Sequence, residues 1–122
     1  MGRDPLIGKC LCGAVSVSHA APEKLVSCNC AACRRYRALW AHGDVPDIKI
    51  IENGPTTRYS RPDGDGDLAF VSCATCGVTT HWEATDPDNP RRAINAALCN
   101  PDDIKSLPVR HFDGADTWTF FD

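Results

Sequence analysis

Seven of the eight cysteines in this 122-residue chain fall into three tight groups. Cys10-Leu11-Cys12-Gly13 comes first, Cys28-Asn29-Cys30-Ala31-Ala32-Cys33 second, and Cys73-Ala74-Thr75-Cys76-Gly77 third. Thiols one or two residues apart are poor disulfide partners for one another, but a turn aims them at one point, which suits chelation. Zinc takes thiolates in a tetrahedral set of four. The two outer pairs fill one such set, and the trio leaves a second set one ligand short. The chain is therefore expected to fold around metal. A closed site is structural, whereas an open one can do chemistry.

A length of 122 residues predicts one domain over 1–122. A core of that size gains from a metal staple, because metal-binding free energy becomes folding free energy. The net charge of -3 and a sequence pI near 5.7 argue against a nucleic-acid partner, which needs a basic face. No apolar run is long enough to span a bilayer, so no membrane partner is expected. The start MGRDPLIGKC lacks the apolar core of a signal peptide. A cytoplasmic, reducing setting is the expectation, and it favours metal over disulfides. There is no serine elbow, phosphate loop or H-E-x-x-H helix, so hydrolase and kinase readings have no support.

Between the cysteines the chain is rich in β-branched and aromatic residues, with turn chemistry at Asn53-Gly54-Pro55 and Asp86-Pro87-Asp88-Asn89-Pro90. Strands are expected at 13–19, 25–28, 39–42, 48–52, 56–60, 68–73, 78–83, 92–98 and 117–121. Helix is scarce. Asn100-Pro101-Asp102-Asp103 begins one well, with a capping asparagine and a proline at the first position, and it is expected to stop near Leu107. A further helical turn fits 31–37. The fold class is mainly β, with one or two short helical turns.

Both outer pairs are followed by glycine, Gly13 and Gly77, as in a zinc knuckle whose turn points backbone N–H groups at sulfur. That joins Cys10, Cys12, Cys73 and Cys76 into one closed structural site. Cys28, Cys30 and Cys33 come from a single loop, which leaves one side of a metal open. Water or a substrate sulfur could take the fourth place, or Cys99 or a histidine could close it. Zinc held by three thiolates suits a soft thiolate substrate better than amide hydrolysis. Arg34, Arg35 and Arg37 follow the trio and could clamp the carboxylates of an anionic thiol. His81, five residues past Cys76, is the histidine nearest a metal motif, but a hydrogen-bonded structural role suits it better. His42 is a weaker candidate, and His19 and His111 read as packing or surface residues. Cys99 reads as a buried thiol. Asp63, Asp65 and Asp67 imitate the start of a calcium loop that lacks its glycine and distal glutamate, so they read as a turn.

The three cysteine clusters, in their order and spacing, resemble the glutathione-dependent formaldehyde-activating enzyme family, which includes centromere protein V-like proteins. The tail Leu107-Pro108-Val109-Arg110-His111-Phe112-Asp113-Gly114-Ala115-Asp116-Thr117-Trp118 is similar too. The resemblance implies a β-tent fold of short antiparallel sheets stapled by a structural zinc at Cys10, Cys12, Cys73 and Cys76. It implies a second, catalytic zinc at Cys28, Cys30 and Cys33, giving two per chain. It implies a carbon–sulfur lyase that joins formaldehyde to glutathione or cleaves the adduct, so the implied partners are a small thiol and a small aldehyde.

Two other classes compete. One is a zinc-stapled module that docks a protein and catalyses nothing. The other is a metal buffer that uses the trio as a labile thiolate cluster. A homodimer would be unsurprising.

Overall fold

A computed structural model describes residues 5–62 and 67–121; the aspartates read as a turn at 63 and 65 lie outside the described residues. The strands are β1 (Leu6–Lys9), β2 (Val15–His19), β3 (Leu25–Cys28), β4 (Trp40–Asp44), β5 (Ile48–Glu52), β6 (Thr56–Tyr59), β7 (Leu68–Cys73), β8 (Thr79–Ala84), β9 (Arg91–Asn95) and β10 (Val109–Phe112). Two short helices, α1 (Ala31–Tyr36) and α2 (Pro101–Ile104), and a 3-10 turn (Ala96–Leu98) complete the described residues. The mainly β expectation holds. No helix among the described residues is long and apolar enough to cross a membrane.

Five local features differ from the reading of the sequence. Leu6–Lys9 is a strand, because β2 supplies an antiparallel partner that four residues do not announce. Val109–Phe112 is also a strand, and it pairs parallel to β3, so the sheets are not wholly antiparallel. The strand expected at 92–98 stops at Asn95, whose side-chain oxygen accepts from the Ala97 amide at 3.1 Å and winds the next residues into the 3-10 turn. The strand expected at 117–121 is instead a turn, with one bridge between Phe112 and Phe120. There Asp113 Oδ2 accepts from the Thr117 amide and hydroxyl at 3.1 and 2.9 Å, bending the chain back. Helix α2 begins at its asparagine cap as expected but ends at Ile104 rather than near Leu107.

The strands form a three-stranded sheet, β1-β2-β5, and a seven-stranded sheet, β10-β3-β4-β9-β8-β7-β6. Side chains alternate along a strand, so the large sheet presents two different faces. Leu25, Ala41 and Ile94 face the small sheet and join Leu6, Val17 and Ile48 in the main core. Their neighbours in sequence, Val26, Trp40 and Ala93, lie on the other face with Phe70. Helix α1 covers part of that second face through Ala32, Cys33 and Tyr36. The remainder carries the cavity described below.

His81 occupies the face between the sheets and is fully buried. Thr80 Oγ1 donates to the Val71 carbonyl at 3.3 Å, so His81 Nδ1 is the donor in its 2.7 Å contact with Thr80 Oγ1. Nε2 then carries the lone pair, and it has no hydrogen-bond partner among the described residues. Burial, followed by the Arg58 and Arg92 charges, pushes the pKa of His81 down to about 4. The 3.9 Å approach of Glu83 Oε2 to Nε2 is therefore no ion pair at neutral pH. The unfolded imidazole takes a proton near pH 6.5 and the native one refuses it until about pH 4, so acid favours unfolding across that window. His81 should lower stability by about 2 kcal/mol between pH 7 and pH 5. Denaturant titrations of wild type and His81→Gln at both pH values check this: the variant should show the shallower loss, and equal slopes would refute the assignment.

Candidate metal centres and an aromatic cavity

The two outer cysteine pairs meet. Cys10 and Cys12 close the β1–β2 turn, Cys73 and Cys76 close the β7–β8 turn, and the four sulfurs lie within 4.8 Å of one another. Cys12 Sγ is 3.6 Å from both Cys10 Sγ and Cys73 Sγ. Four thiolates around one zinc stand about 3.8 Å apart, so the donor set fits that ion in kind and in size. The two turns are built alike. The Gly13 amide donates to the Cys10 carbonyl at 3.0 Å, and the Gly77 amide to the Cys73 carbonyl at 2.8 Å. Gly13 and Gly77 have φ of +84° and +80°, and a Cβ on either would touch nothing within 4 Å. Glycine is needed there for backbone conformation, not for space. Backbone amides point at the sulfurs: Val15 N–H donates to Cys10 Sγ at 3.3 Å. The Val78 amide, then that of Cys12, brings the Cys76 thiol down to about 6.

The trio forms the second cluster. Cys28 ends β3, Cys30 caps α1 and Cys33 lies within it, and their sulfurs also lie within 4.8 Å of one another. The Cys33 amide donates to Cys30 Sγ at 3.3 Å, and Trp40 Nε1–H donates to Cys33 Sγ at 3.3 Å. The Cys28 thiol falls to about 6, first through the Cys33 thiol and also through the amides of Cys30 and Gly114. Cys33 is raised, first by Cys28. One sulfur of the trio thus sheds its proton readily, as a metal ligand must. Among the described residues no fourth cysteine, histidine or carboxylate joins this group. Cys99 is buried in the main core, with its thiol pushed up to about 11 by burial and then by Asp103. His19 is buried too, tied to the His42 carbonyl at 2.7 Å and the Ala21 amide at 3.3 Å. Neither Cys99 nor any described histidine is grouped with the trio, as closure of the site by one of them would require.

All three trio cysteines line a cavity of about 660 Å³ on the outer face of the large sheet. Its floor holds Trp40, Phe70 and Trp82, and its other wall holds Phe112, Trp118 and Phe120. In the sheet, Ala93 sits between His42 and Trp82, and this small residue lets their rings meet edge to face at 5.5 Å. His42 also lines the cavity, and burial, then the Arg91 charge, lowers it to about 4. The positive side chains on the lining are Lys24, Arg61 and Arg91. Arg34, Arg35 and Arg37 are exposed on α1 and at its C-terminal cap, and they are not among the lining residues.

Sequence reasoning missed several residues that shape the trio. Asn29 Nδ2 donates to Asp113 Oδ1 at 3.1 Å, and its Oδ1 accepts from the Ala115 amide at 3.0 Å. These bonds bring Gly114 so close that a Cβ there would stand 2.6 Å from Cys28 Sγ. Nothing in the local pattern links residues more than eighty positions apart, although Asp113-Gly114 does sit in the tail that carries part of the family resemblance.

Two substitutions separate the clusters. Gly114→Ala should disturb Cys28 and lower the bound metal by up to one ion per chain relative to wild type, measured by elemental mass spectrometry, with the four-cysteine site unaffected. Gly77→Ala meets open space but a left-handed backbone, and should cost about 1 kcal/mol, or about 4 °C in Tm, by calorimetry.

The family model for glutathione-dependent formaldehyde-activating enzyme matches residues 5–112. A crystal structure of a Rhodobacter sphaeroides protein superposes with a TM-score of 0.64 at 27% identity, covering 85% of this chain and 99% of that one. No curated protein matches significantly. The mainly β architecture is the β-tent of that family. With the family model spanning residues 5–112, the chain belongs to the glutathione-dependent formaldehyde-activating enzyme family.

Proposed function

We propose that the chain is a zinc-dependent carbon–sulfur lyase. It would form or cleave the adduct between glutathione, or a similar thiol, and formaldehyde or another aldehyde. The observation that carries this reading is a three-thiol cluster, with no fourth described ligand, opening onto a 660 Å³ cavity. Cys10, Cys12, Cys73 and Cys76 would hold a structural zinc, and Cys28, Cys30 and Cys33 a second. Zinc at the trio would supply Lewis acidity that lowers the pKa of a substrate thiol.

The protein's own groups do the rest. The Cys33 amide on Cys30 and Trp40 Nε1–H on Cys33 spread the negative charge of the trio and fix its sulfurs. Lys24, Arg61 and Arg91 line the cavity where a thiol's carboxylates would need positive charge, and we place that recognition on them rather than on Arg34, Arg35 and Arg37. In the addition a C–S bond forms, the carbonyl π bond breaks, and the proton lost by sulfur is the one oxygen gains. His42 stays neutral above about pH 4, so its ring offers one N–H donor and one lone pair along that path. Holding both reactants in one recess supplies most of the advantage, because thiols and aldehydes react readily once they meet.

Freshly purified reduced protein should carry two zinc ions per chain. Cys30→Ser should keep one zinc and the native circular dichroism spectrum. Its exchange of formaldehyde with glutathione, followed by NMR, should fall to the uncatalysed rate. Undiminished exchange in Cys30→Ser would sink the proposal and favour a docking module.

A further inference from the structure

The cavity is far more aromatic than formaldehyde needs. All three tryptophans of the chain and three of its four phenylalanines line it. Formaldehyde has no substituent to fill such a space, and glutathione has no apolar side chain. The polar needs of a peptide thiol fall on Lys24, Arg61 and Arg91. Trp40 and Phe70 are buried in the second core cluster, and Lys24 and Arg110 stand over the Phe120 ring. That leaves the partly or fully exposed rings of Trp82, Phe112 and Trp118 to meet a ligand. Each wall is knitted from ring contacts. Trp40 lies 6.1 Å from Phe70 on the floor, while Trp118 and Phe120 stand edge-on to Phe112 at 5.0 and 5.1 Å. Rings held this way present faces and edges that suit another aromatic ring.

Trp118 supplies a second, independent observation. It is 70% exposed, so packing into a core does not explain it. Its φ is +60°, the left-handed region that bulky side chains avoid. The turn holds it there: the Trp118 amide donates to the Asp113 carbonyl at 2.8 Å, and the Asp113 carboxylate is tied to Thr117. A strained backbone that sets an exposed indole on a cavity wall is the kind of local strain that function, not stability, accounts for.

Resting on the adduct chemistry proposed above, we infer that the aldehyde partner of this enzyme carries an aromatic group. The substrate is then the hemithioacetal of an aryl or arylalkyl aldehyde, with the ring held between Trp82 on one side and Trp118 on the other. Its thiol half keeps its sulfur at the trio and its carboxylates toward the cationic lining.

The test compares S-benzylglutathione with S-methylglutathione, titrated into zinc-loaded protein by calorimetry. Tryptophan fluorescence gives a parallel readout, since every indole lines the cavity. The benzyl compound should bind roughly 10- to 100-fold tighter, the expected yield of burying one ring. Trp82→Ala and Trp118→Gly should each narrow that ratio at least five-fold. Trp118→Gly relieves the left-handed backbone, so a lost ratio there cannot be assigned to misfolding. Phenylacetaldehyde should also surpass formaldehyde in kcat/KM with glutathione. Formaldehyde turnover with no benzyl preference would keep the adduct chemistry and overturn the aromatic substrate. A benzyl preference sensitive to both variants, with neither aldehyde turned over, would keep the aromatic recognition and sink the chemistry. A benzyl preference unchanged in both variants would overturn the placement of the ring.

Discussion

Everything else hangs on the convergence of four thiols from two hairpins. The β1–β2 turn belongs to the small sheet and the β7–β8 turn to the large one, so Cys10, Cys12, Cys73 and Cys76 tie the two sheets at one end. Bare thiolates at 3.6 Å would repel; the backbone amides aimed at them ease that repulsion, and a shared cation would turn it into a clamp. Binding of zinc by such a set is worth on the order of 10 kcal/mol, comparable to the whole stability of a domain this size. Cys10, Cys73 and Val15 form their own small core beneath the clamp, which keeps water from its inner side.

With the sheets pinned, the large one can afford a division of labour between its faces. Toward the small sheet it shows close-packed aliphatics and a neutral histidine. Away from it, the same strands deliver the neighbouring residues to a recess: Trp40 beside Ala41, Phe70 beside Val71, Trp82 beside His81. Period-two alternation thus places a core and a binding surface on opposite sides of one layer. The trio sits at the margin of that surface because β3 ends at Cys28 and α1 starts directly after Cys30.

The sequence disclosed what is local. Cysteine spacing, the glycines after each outer pair and the alternation in β2 were all readable in short windows, as was the asparagine cap of α2. What it hid depends on partners far along the chain. Leu6–Lys9 and Val109–Phe112 are four residues each, and only pairing with β2 and β3 makes them strands. The aromatic cavity was hidden for the same reason: its rings come from four different strands and the tail, with no shared motif. Arg34, Arg35 and Arg37 attracted notice by adjacency to the trio, but α1 and its C-terminal cap leave them exposed and away from the cavity lining. Thr117–Phe121 reads as strand by its aromatic and β-branched residues, and a single carboxylate at Asp113 bends it instead.

The parallel pairing of β10 with β3 has a temporal meaning. The four thiols of the clamp and the amides on them lie within residues 10–78, whereas Cys28 meets Gly114, far later in the sequence. During synthesis the two clusters therefore mature in a fixed order. The clamp cysteines are all made before the trio's last wall, Gly114. A reactive, low-pKa thiol on an open trio is a hazard in a crowded cell. The residues that finish the site follow directly on the strand that completes the sheet edge beside β3.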